Sequence, residues 1–353
     1  MKAWAVVRPK APLECVEISD PAPTGTEVVI AVTHCGVCHS DLHFWEGEYN
    51  LGAGQILRIA DRGAKLPRAM GHEMVGRVLR HGPEAEGVSI GDLRIVYPWL
   101  GCGVCERCLA GESNLCARPA SFGSARDGGY AEQVLVPHPR YLVDPGGIDP
   151  ALAATYACSG LTVYSAIRKV MPLRPDQPIV LIGAGGLGLA AISMLLALGH
   201  ECIISVDIAK DKREAALAMG ATAVIDPAGP GAAEMVREAA QGLILAVLDF
   251  VNSSGTAQFG LDLLAKGGKL VLLGYAGGEI TLPLGAMMFG RRNILTSGTG
   301  SLQDLHDVVA LARDRGLAPI PITRMPPDQA NEALRRLHDG EVTGRIVLER
   351  HLF

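Results

Sequence analysis

The N-terminal part of the chain places its apolar residues in short runs separated by proline, glycine and polar residues. Residues 1–45 carry several such runs. The run at residues 28–32 leads to Gly36, where we expect a sharp turn because glycine has the widest backbone freedom. Another β-like run follows at residues 75–79. Short β-prone runs bounded by turn residues are typical of antiparallel strands, so the pattern predicts a β-rich N-terminal domain.

The pattern changes after residue 178 to an alternation of strand-like and helix-like segments. Residues 179–182 form a short apolar run, residues 189–198 have a helical pattern, and residues 202–206 are strand-like again. The same alternation continues at residues 223–225, 235–240, 244–251, 259–264 and 269–273. Strands that alternate with helices indicate a parallel, doubly wound sheet. The predicted fold class is therefore α/β, and the residues after about 296 return to helices and short strands.

The composition is that of a globular protein without a basic or membrane-spanning segment. The 353 residues are too many for one core of ordinary size, and 48% of them are apolar against 20% charged. The net charge of -5 gives no basic footprint for nucleic acid, and no apolar run has the length of a membrane span. Nine cysteines without an export signal favour reduced thiols and metal ligands, so we expect a cytoplasmic protein.

A glycine-rich segment, Gly-Ala-Gly-Gly-Leu-Gly, joins the first strand and helix of the alternating part. It fits the pattern Gly-x-Gly-x-x-Gly, in which glycines allow a tight turn and close approach to a pyrophosphate. Asp207 ends the second strand, where its carboxylate can accept both adenosine ribose hydroxyls and would repel a 2′-phosphate. An ordinary βα loop is the alternative, but strand, helix and acid together favour dinucleotide binding, with NAD preferred to NADP. The residues assigned to the turn are Gly183, Gly185, Gly186, Leu187 and Gly188.

Four cysteines follow the pattern Cys-x2-Cys-x2-Cys-x7-Cys, at Cys102, Cys105, Cys108 and Cys116. Four thiolates at this spacing can surround one ion tetrahedrally and leave no open position, as in structural zinc sites. An iron–sulfur cluster and a disulfide pair are the alternatives, because both also use cysteine. The spacing favours a structural zinc site over both.

A second group of side chains that can bind metal follows the apolar run at residues 28–32. Residues 33–43 carry a thiolate, a carboxylate and imidazoles around Cys38, and thiolate with imidazole suits zinc. A catalytic zinc keeps one coordination position open for a substrate. The alternative is a buried cysteine beside surface histidines. Similarly, His72, in the sequence Gly-His-Glu, would by itself be an ordinary partly buried histidine.

Together, these motifs and their order resemble the medium-chain, zinc-dependent alcohol dehydrogenases, and the resemblance covers essentially the whole chain. In that family, an N-terminal chaperonin-10-like (GroES-like) catalytic domain carries the metals and a Rossmann domain binds the nucleotide. The last segment then returns to the first domain. The resemblance implies a division into residues 1–159, 160–296 and 297–353. It also implies a homodimer or a homotetramer, the usual assemblies of the family.

The resemblance assigns roles to residues of both sites. Cys38, His72 and Cys158 match the three catalytic zinc ligands, although an ordinary buried thiol would otherwise explain Cys158. Asp41 and Glu73 match acids that hold the ligands in place. Ser40 and His43 match the proton relay of the family. Trp45 and Trp99 match positions that line the substrate pocket, although core packing would also explain them. The cofactor contacts, with the first and last at the pyrophosphate, match His39, Thr162, Lys212, Gly274 and Arg345.

The implied reaction is the reversible oxidation of an alcohol to an aldehyde or ketone by hydride transfer to NAD at a catalytic zinc. Ser40 would take the hydroxyl proton and pass it through the ribose toward His43. A zinc-dependent polyol or amino-alcohol dehydrogenase is one alternative, and the two pocket tryptophans argue against such polar substrates. A non-catalytic protein that binds zinc and nucleotide is another, and the intact relay residues argue against it.

One departure from the family concerns the substrate. Cys38 and His72 lie further apart than in compact bacterial members, and the additional residues fall between Glu46 and Arg68. This stretch resembles bacterial dehydrogenases of hydroxy acids such as 6-hydroxyhexanoate. The likeness implies that an arginine of the stretch, Arg62 as first choice, meets a substrate carboxylate. A solvated surface loop or a subunit contact is the alternative.

Overall fold

The computed structural model describes residues 1–62 and 64–351. None of the helices in these ranges is both long and apolar enough to cross a membrane. The N-terminal part consists mainly of short strands. Its elements are β1 (Lys2–Val6), β2 (Glu14–Glu17), β3 (Val28–Val37), α1 (His39–Glu46), β4 (Glu48–Gly52), β5 (Gln55–Arg58), β6 (Arg68–Ala69), β7 (Glu73–His81), β8 (Leu93–Val96), α2 (Glu106–Leu109), β9 (Gln133–Val136) and β10 (Leu142–Val143).

The middle of the chain alternates strands and helices, as the pattern predicts. Its elements are α3 (Pro150–Thr155), α4 (Leu161–Val170), β11 (Ile179–Ile182), α5 (Gly186–Ala197), β12 (Ile203–Val206), α6 (Lys210–Ala218), β13 (Ala223–Ile225), α7 (Ala232–Ala240), β14 (Ala246–Asp249), α8 (Ser254–Leu263), β15 (Lys269–Leu272), α9 (Leu284–Gly290) and β16 (Asn293–Thr296). Six of these strands form one parallel sheet in the order β13-β12-β11-β14-β15-β16. The predicted parallel, doubly wound sheet is confirmed.

The last segment returns to the N-terminal sheet. It comprises α10 (Leu302–Arg315), β17 (Ile322–Met325), α11 (Ala330–His338) and β18 (Arg345–Glu349). The sheet has the order β10-β8-β7-β3-β18-β17, and β9 also pairs with β3. Strand β18 runs antiparallel to β3 and places Ile346 opposite Val37. This register brings Arg345, the first residue of β18, to the end of β3.

The expected turn at Gly36 is wrong. Strand β3 continues to Val37, and Gly36 pairs within it opposite Glu73 of β7. A Cβ at residue 36 would overlap the carboxylate of Glu73. Glycine is therefore needed here for the space that it leaves beside a buried acid, while the chain turns two residues later, at Cys38, which directly precedes α1.

Helix α10 is anchored to the rest of the molecule at its N-terminus. Ser301 caps the helix, and Asp304 accepts hydrogen bonds from the Ser301 amide and hydroxyl at 2.7 and 2.8 Å, which completes a capping box. The other oxygen of the buried Asp304 side chain accepts a hydrogen bond from Arg168 of α4 at 2.6 Å. The Tyr97 hydroxyl donates to the Gly300 carbonyl at 3.0 Å. These bonds tie the last segment to α4 and to the N-terminal sheet.

We expect Asp304→Ala to lower the free energy of unfolding by about 1–3 kcal/mol, because the variant loses the helix cap and a charge-assisted hydrogen bond. Calorimetry on the intact protein would measure the change as a lower unfolding temperature. Asp314→Ala is the matched control: Asp314 lies at the other end of α10 in an exposed ion pair with Arg313, and its loss should leave that temperature unchanged. Equal unfolding temperatures for the two variants would contradict the anchoring role.

Candidate active site

Three metal-ligand side chains from distant parts of the chain meet in one buried site. Cys38 directly precedes α1, and His72 directly precedes β7. Cys158 lies in a π-helical turn, Tyr156–Gly160, between α3 and α4. The three ligand atoms all lie within 4.8 Å of one another, and the Cys38 and Cys158 sulfurs are 4.0 Å apart. The arrangement therefore provides two thiols and one imidazole around a common centre.

The donor set fits a zinc ion. Two sulfurs bound tetrahedrally at 2.3 Å would be about 3.8 Å apart, close to the observed separation. The buried Nε2 of His72 has no hydrogen-bond partner among the described residues. Its Nδ1 lies 3.2 Å from Asp41 Oδ1, so the carboxylate fixes the ring with Nε2 toward the two thiols. A hydrogen bond from the Cys158 thiol, followed by the charge of Arg345, lowers the pKa of Cys38 well below its usual value.

Asp41 organises this site through its backbone contacts. The side chain is buried, and its Oδ2 accepts a hydrogen bond from the Cys38 amide at 3.0 Å. Its Oδ1 accepts a hydrogen bond from the Gly71 amide at 3.1 Å. One carboxylate thus holds the backbone beside two of the ligands as well as the ring of His72.

Glu73 and Arg345 form a buried pair beside the ligands. Arg345 Nη2 lies 3.3 Å from Glu73 Oε1, which also accepts a hydrogen bond from the Ser159 amide at 3.2 Å. Burial raises the pKa of Glu73 to about 7, and the positive charge of Arg345 opposes that rise. On its other side, Arg345 reaches the glycine-rich turn: a Cβ at Gly186 would lie 2.8 Å from Arg345 Nε. The arginine therefore spans from the ligand site to the turn.

The glycine-rich turn is packed closely against its own backbone. Gly183 has φ of 97°, in the left-handed region, and a Cβ at Gly188 would overlap the Gly183 carbonyl. Helix α5 begins at Gly186, directly after Gly185, and Leu187 is half-buried in its first turn. The amides of a helix N-terminus favour a bound phosphate.

Asp207 lies at the end of β12, as the sequence predicts. It accepts hydrogen bonds from the Ala184 amide at 2.7 Å and from the Ala209 amide at 2.8 Å. These bonds hold its carboxylate against the glycine-rich turn. Lys212 is half-buried on α6, close to Asp207 in the chain.

Other predicted residues lie near the two sites. His39, which is exposed, and the half-buried Ser40 and His43 follow Cys38 on α1. The Thr162 hydroxyl is buried and without a hydrogen-bond partner among the described residues. The Gly274 carbonyl accepts a hydrogen bond from the Asn252 side chain at 2.8 Å.

The two tryptophans have different surroundings. The Trp99 ring lies 5.3 Å from the His72 ring, centroid to centroid, which places it beside a ligand. Both tryptophans pack against the core and donate from Nε1 to a backbone carbonyl, Trp45 to Ala11 at 2.6 Å and Trp99 to Ala157 at 3.1 Å. The side chain of Arg62 lies outside the described part of the structure.

The second cysteine cluster forms a compact loop. Cys105 Sγ lies 3.5 Å from Cys108 Sγ and 3.8 Å from Cys116 Sγ, and all four sulfurs lie within 4.8 Å of one another. The Cys102 amide donates to Cys116 Sγ at 3.3 Å. These separations match the edges of a tetrahedron of about 3.8 Å around zinc, so four thiolates fit one ion without an open position.

Two tyrosines that lie next to His43 were not identified from the sequence. The ring centroid of His43 lies 5.2 Å from that of Tyr49 and 6.5 Å from that of Tyr275. Local spacing carries no signal for this cluster, because Tyr49 belongs to β4 and Tyr275 to the loop after β15. Its residues become neighbours only in the folded chain.

Comparison with known proteins agrees with this geometry. Residues 24–145 match the model of the alcohol dehydrogenase GroES-like domain, and residues 186–314 match that of the zinc-binding dehydrogenases. An NAD-dependent alcohol dehydrogenase from Sulfurisphaera tokodaii is 37% identical over 350 residues, which cover 99% of both chains. The crystal structure of an alcohol dehydrogenase from Aeropyrum pernix superposes with a TM-score of 0.89 at 30% identity, covering 99% of this chain and 100% of the other.

A sugar dehydrogenase is also similar. The crystal structure of the D-arabinose dehydrogenase from Sulfolobus solfataricus superposes with a TM-score of 0.82 at 29% identity and covers 99% of both chains. The two matching family models, the relatives that match along nearly the whole chain and the two candidate zinc sites all indicate the same family. The chain therefore belongs to the zinc-binding alcohol dehydrogenase family.

Proposed function

We propose that the protein is an NAD-dependent alcohol dehydrogenase with one catalytic and one structural zinc. The observation that carries the proposal is the position of Arg345, which contacts Glu73 beside the three-ligand site and also lies against Gly186 of the glycine-rich turn. A substrate bound at the ligands and a nucleotide bound at the turn would therefore meet. Adjacent sites of this kind suit direct hydride transfer between the two.

In this proposal, Cys38, His72 and Cys158 hold the catalytic zinc, and Cys102, Cys105, Cys108 and Cys116 hold the structural one. When bound, the catalytic zinc supplies a Lewis acid for the alcohol oxygen, and NAD accepts the hydride from the alcohol carbon. Asp41 and the Glu73–Arg345 pair keep the ligands in place. Trp99, beside His72, forms a wall of the substrate pocket, and Trp45 remains a second candidate for it.

The chain's own residues would bind the cofactor and move the proton. Ser40 would take the hydroxyl proton of the alcohol and pass it toward His43, which would release it to water. The glycine-rich turn and the N-terminus of α5 bind the pyrophosphate with His39, Lys212 and Arg345. Asp207 accepts the adenosine ribose hydroxyls, and Thr162 and Gly274 flank the nicotinamide. Oxidation thus yields an aldehyde or ketone, NADH and one proton.

The proposal keeps the division into a catalytic domain (1–159 with 297–353) and a nucleotide-binding domain (160–296), assembled as a homodimer or homotetramer. A sugar or polyol is the second candidate substrate. It is favoured by a relative from Saccharolobus solfataricus named D-arabinose 1-dehydrogenase (NADP(+)), which is 32% identical over 352 residues.

A metal analysis and an alcohol panel test this function. We expect two zinc ions per chain and NAD reduction with 1-hexanol. If Arg62 meets a substrate carboxylate, kcat/KM for 6-hydroxyhexanoate should exceed that for 1-hexanol by about ten- to a hundredfold, since a charge-assisted hydrogen bond contributes about 1.5–3 kcal/mol. Arg62→Ala should then remove the preference.

Each outcome of the panel separates the candidates. Equal kcat/KM values for the two C6 substrates would discard the carboxylate contact and leave an apolar alcohol pocket. Preference for D-arabinose or a polyol would select the sugar candidate. Nucleotide and zinc binding without reduction of NAD or NADP by any substrate would refute the enzymatic proposal.

The two metal sites should respond differently to loss of one ligand. We expect Cys105→Ser to remove one zinc per chain and to lower the unfolding temperature, because binding energy at a structural zinc is also folding energy. Cys38→Ser should abolish turnover with a smaller effect on unfolding. Cys15→Ser, which alters an exposed thiol outside both clusters, is the control and should change neither zinc content nor activity. Full activity in folded Cys38→Ser protein would refute the assignment.

Asp207 should determine the choice of cofactor. Asp207→Gly removes the acceptor for the ribose hydroxyls and the repulsion toward a 2′-phosphate, so the ratio of kcat/KM for NAD to that for NADP should fall. A loss of about tenfold corresponds to one hydrogen bond of ordinary strength. Steady-state kinetics with both cofactors gives the ratio. A wild-type enzyme that already prefers NADP would overturn this role.

A further inference from the structure

The hairpin β4–β5 contacts the nucleotide-binding part of the chain. Its buried residue Gly52 lies so close to the Gly278 backbone that a Cβ at residue 52 would overlap the Gly278 carbonyl. On the other side of the contact, a Cβ at Gly277 would lie 2.8 Å from the Asn50 carbonyl. Both glycines have positive φ, 85° for Gly52 and 79° for Gly277. The backbone of the hairpin therefore packs directly against the backbone of the loop after β15, and this contact holds the hairpin in place.

This contact closes an aromatic cluster around His43. Tyr49 comes from the hairpin and Tyr275 from the loop, and their ring centroids lie 6.3 Å apart at 71°. The His43 ring lies 5.2 Å from Tyr49 at 42° and 6.5 Å from Tyr275 at 72°. Tilted and edge-to-face rings at 4.5–7 Å attract one another beyond simple area burial. The imidazole therefore packs beside a pair of tyrosine rings, one from each part of the molecule.

Without these rings, His43 would have little to fix its orientation. Its side chain is partly exposed, and its Nδ1 contacts Glu46 Oε2, one turn along the same helix, at 3.2 Å. The second side-chain torsion of histidine has a broad energy minimum, so a single contact from a flexible glutamate leaves the ring free to rotate. The two neighbouring tyrosine rings restrict that rotation.

We propose that Tyr49 and Tyr275 are positioning residues that hold the His43 imidazole in the orientation needed to receive the substrate proton. The inference rests on the relay role of His43 in the proposed function. Glu46 occupies Nδ1, so Nε2 is the nitrogen that exchanges the proton. Because one tyrosine belongs to each domain, the relay is complete only when the hairpin is seated on the loop of the nucleotide-binding domain.

A double-mutant cycle tests this inference. The variants are Tyr49→Ala, Tyr49→Phe, His43→Ala and the double variant Tyr49→Ala/His43→Ala. The measurement is the rate of NADH formation in the first turnover with 1-hexanol, which separates chemistry from product release. Zinc content and NADH binding check that each variant is folded. Glu48→Ala, which removes an exposed ion pair with Lys10 from the same strand, is the matched control and should keep the wild-type rate.

We expect His43→Ala to slow the first turnover by about tenfold or more, as for loss of a proton-transfer group. Tyr49→Ala should slow it by about two- to tenfold, the equivalent of one aromatic pair, with KM for the alcohol little changed. Tyr49→Phe keeps the ring and should restore the rate. In the His43→Ala background, Tyr49→Ala should have no further effect, because both changes disable the same step.

The other outcomes overturn the inference. If the rate losses of the two single variants multiply in the double variant, Tyr49 acts independently of His43. A raised KM for the alcohol at an unchanged first-turnover rate has the same meaning, and Tyr49 would then line the substrate pocket instead. If Tyr49→Ala does not fold, Tyr275→Leu removes the second tyrosine ring beside His43 and is judged by the same criteria. A fully active His43→Ala would refute the relay and so the proposed function of His43, whereas a slow His43→Ala beside a fully active Tyr49→Ala would refute only the positioning role.

Discussion

The buried contact between Arg345 and Glu73 is the interaction on which the site depends. A charge removed from water is tolerated only when it is paired and hydrogen-bonded, so a buried arginine requires the acid beside it. Glu73 follows His72 in the chain, and Arg345 also lies against Gly186. The position of Arg345 depends in turn on the pairing of β18 with β3. Because the last segment returns to the N-terminal sheet, Arg345 connects the three-ligand site to the glycine-rich turn.

Much of the fold and one of the metal sites could be predicted from the sequence because their signals are local. The four thiols of the second cluster fall within one short loop, and the glycine-rich turn has its strand, helix and acid close by. Gly36 shows the limit of such reasoning. A glycine after an apolar run is typical of a turn, yet here it stays in the strand because the carboxylate of Glu73 occupies the space of a side chain.

The remaining features of the site arise from long-range packing. The Cys158 thiol is 120 residues from Cys38, and family resemblance rather than spacing identified it. The cluster of His43, Tyr49 and Tyr275 gave no signal, since aromatic residues at these distances in sequence are common. The stretch between Glu46 and Arg68 was noticed for its length and for its local resemblance to hydroxy-acid dehydrogenases. Its hairpin and glycine contacts became visible only once the opposing loop was in place.

The two cysteine sites differ in what determines their geometry. In the loop around Cys105, three of the four cysteines are only partly buried and the chain between them is short, so a metal would hold the loop together. Around His72, the ligands are buried and come from three separate elements, and Asp41 aims the ring through its own hydrogen bonds. The buried site offers three ligands and so leaves the fourth position of a tetrahedral zinc open, whereas the loop around Cys105 fills all four positions. This difference is the physical reason to propose catalysis at the buried site.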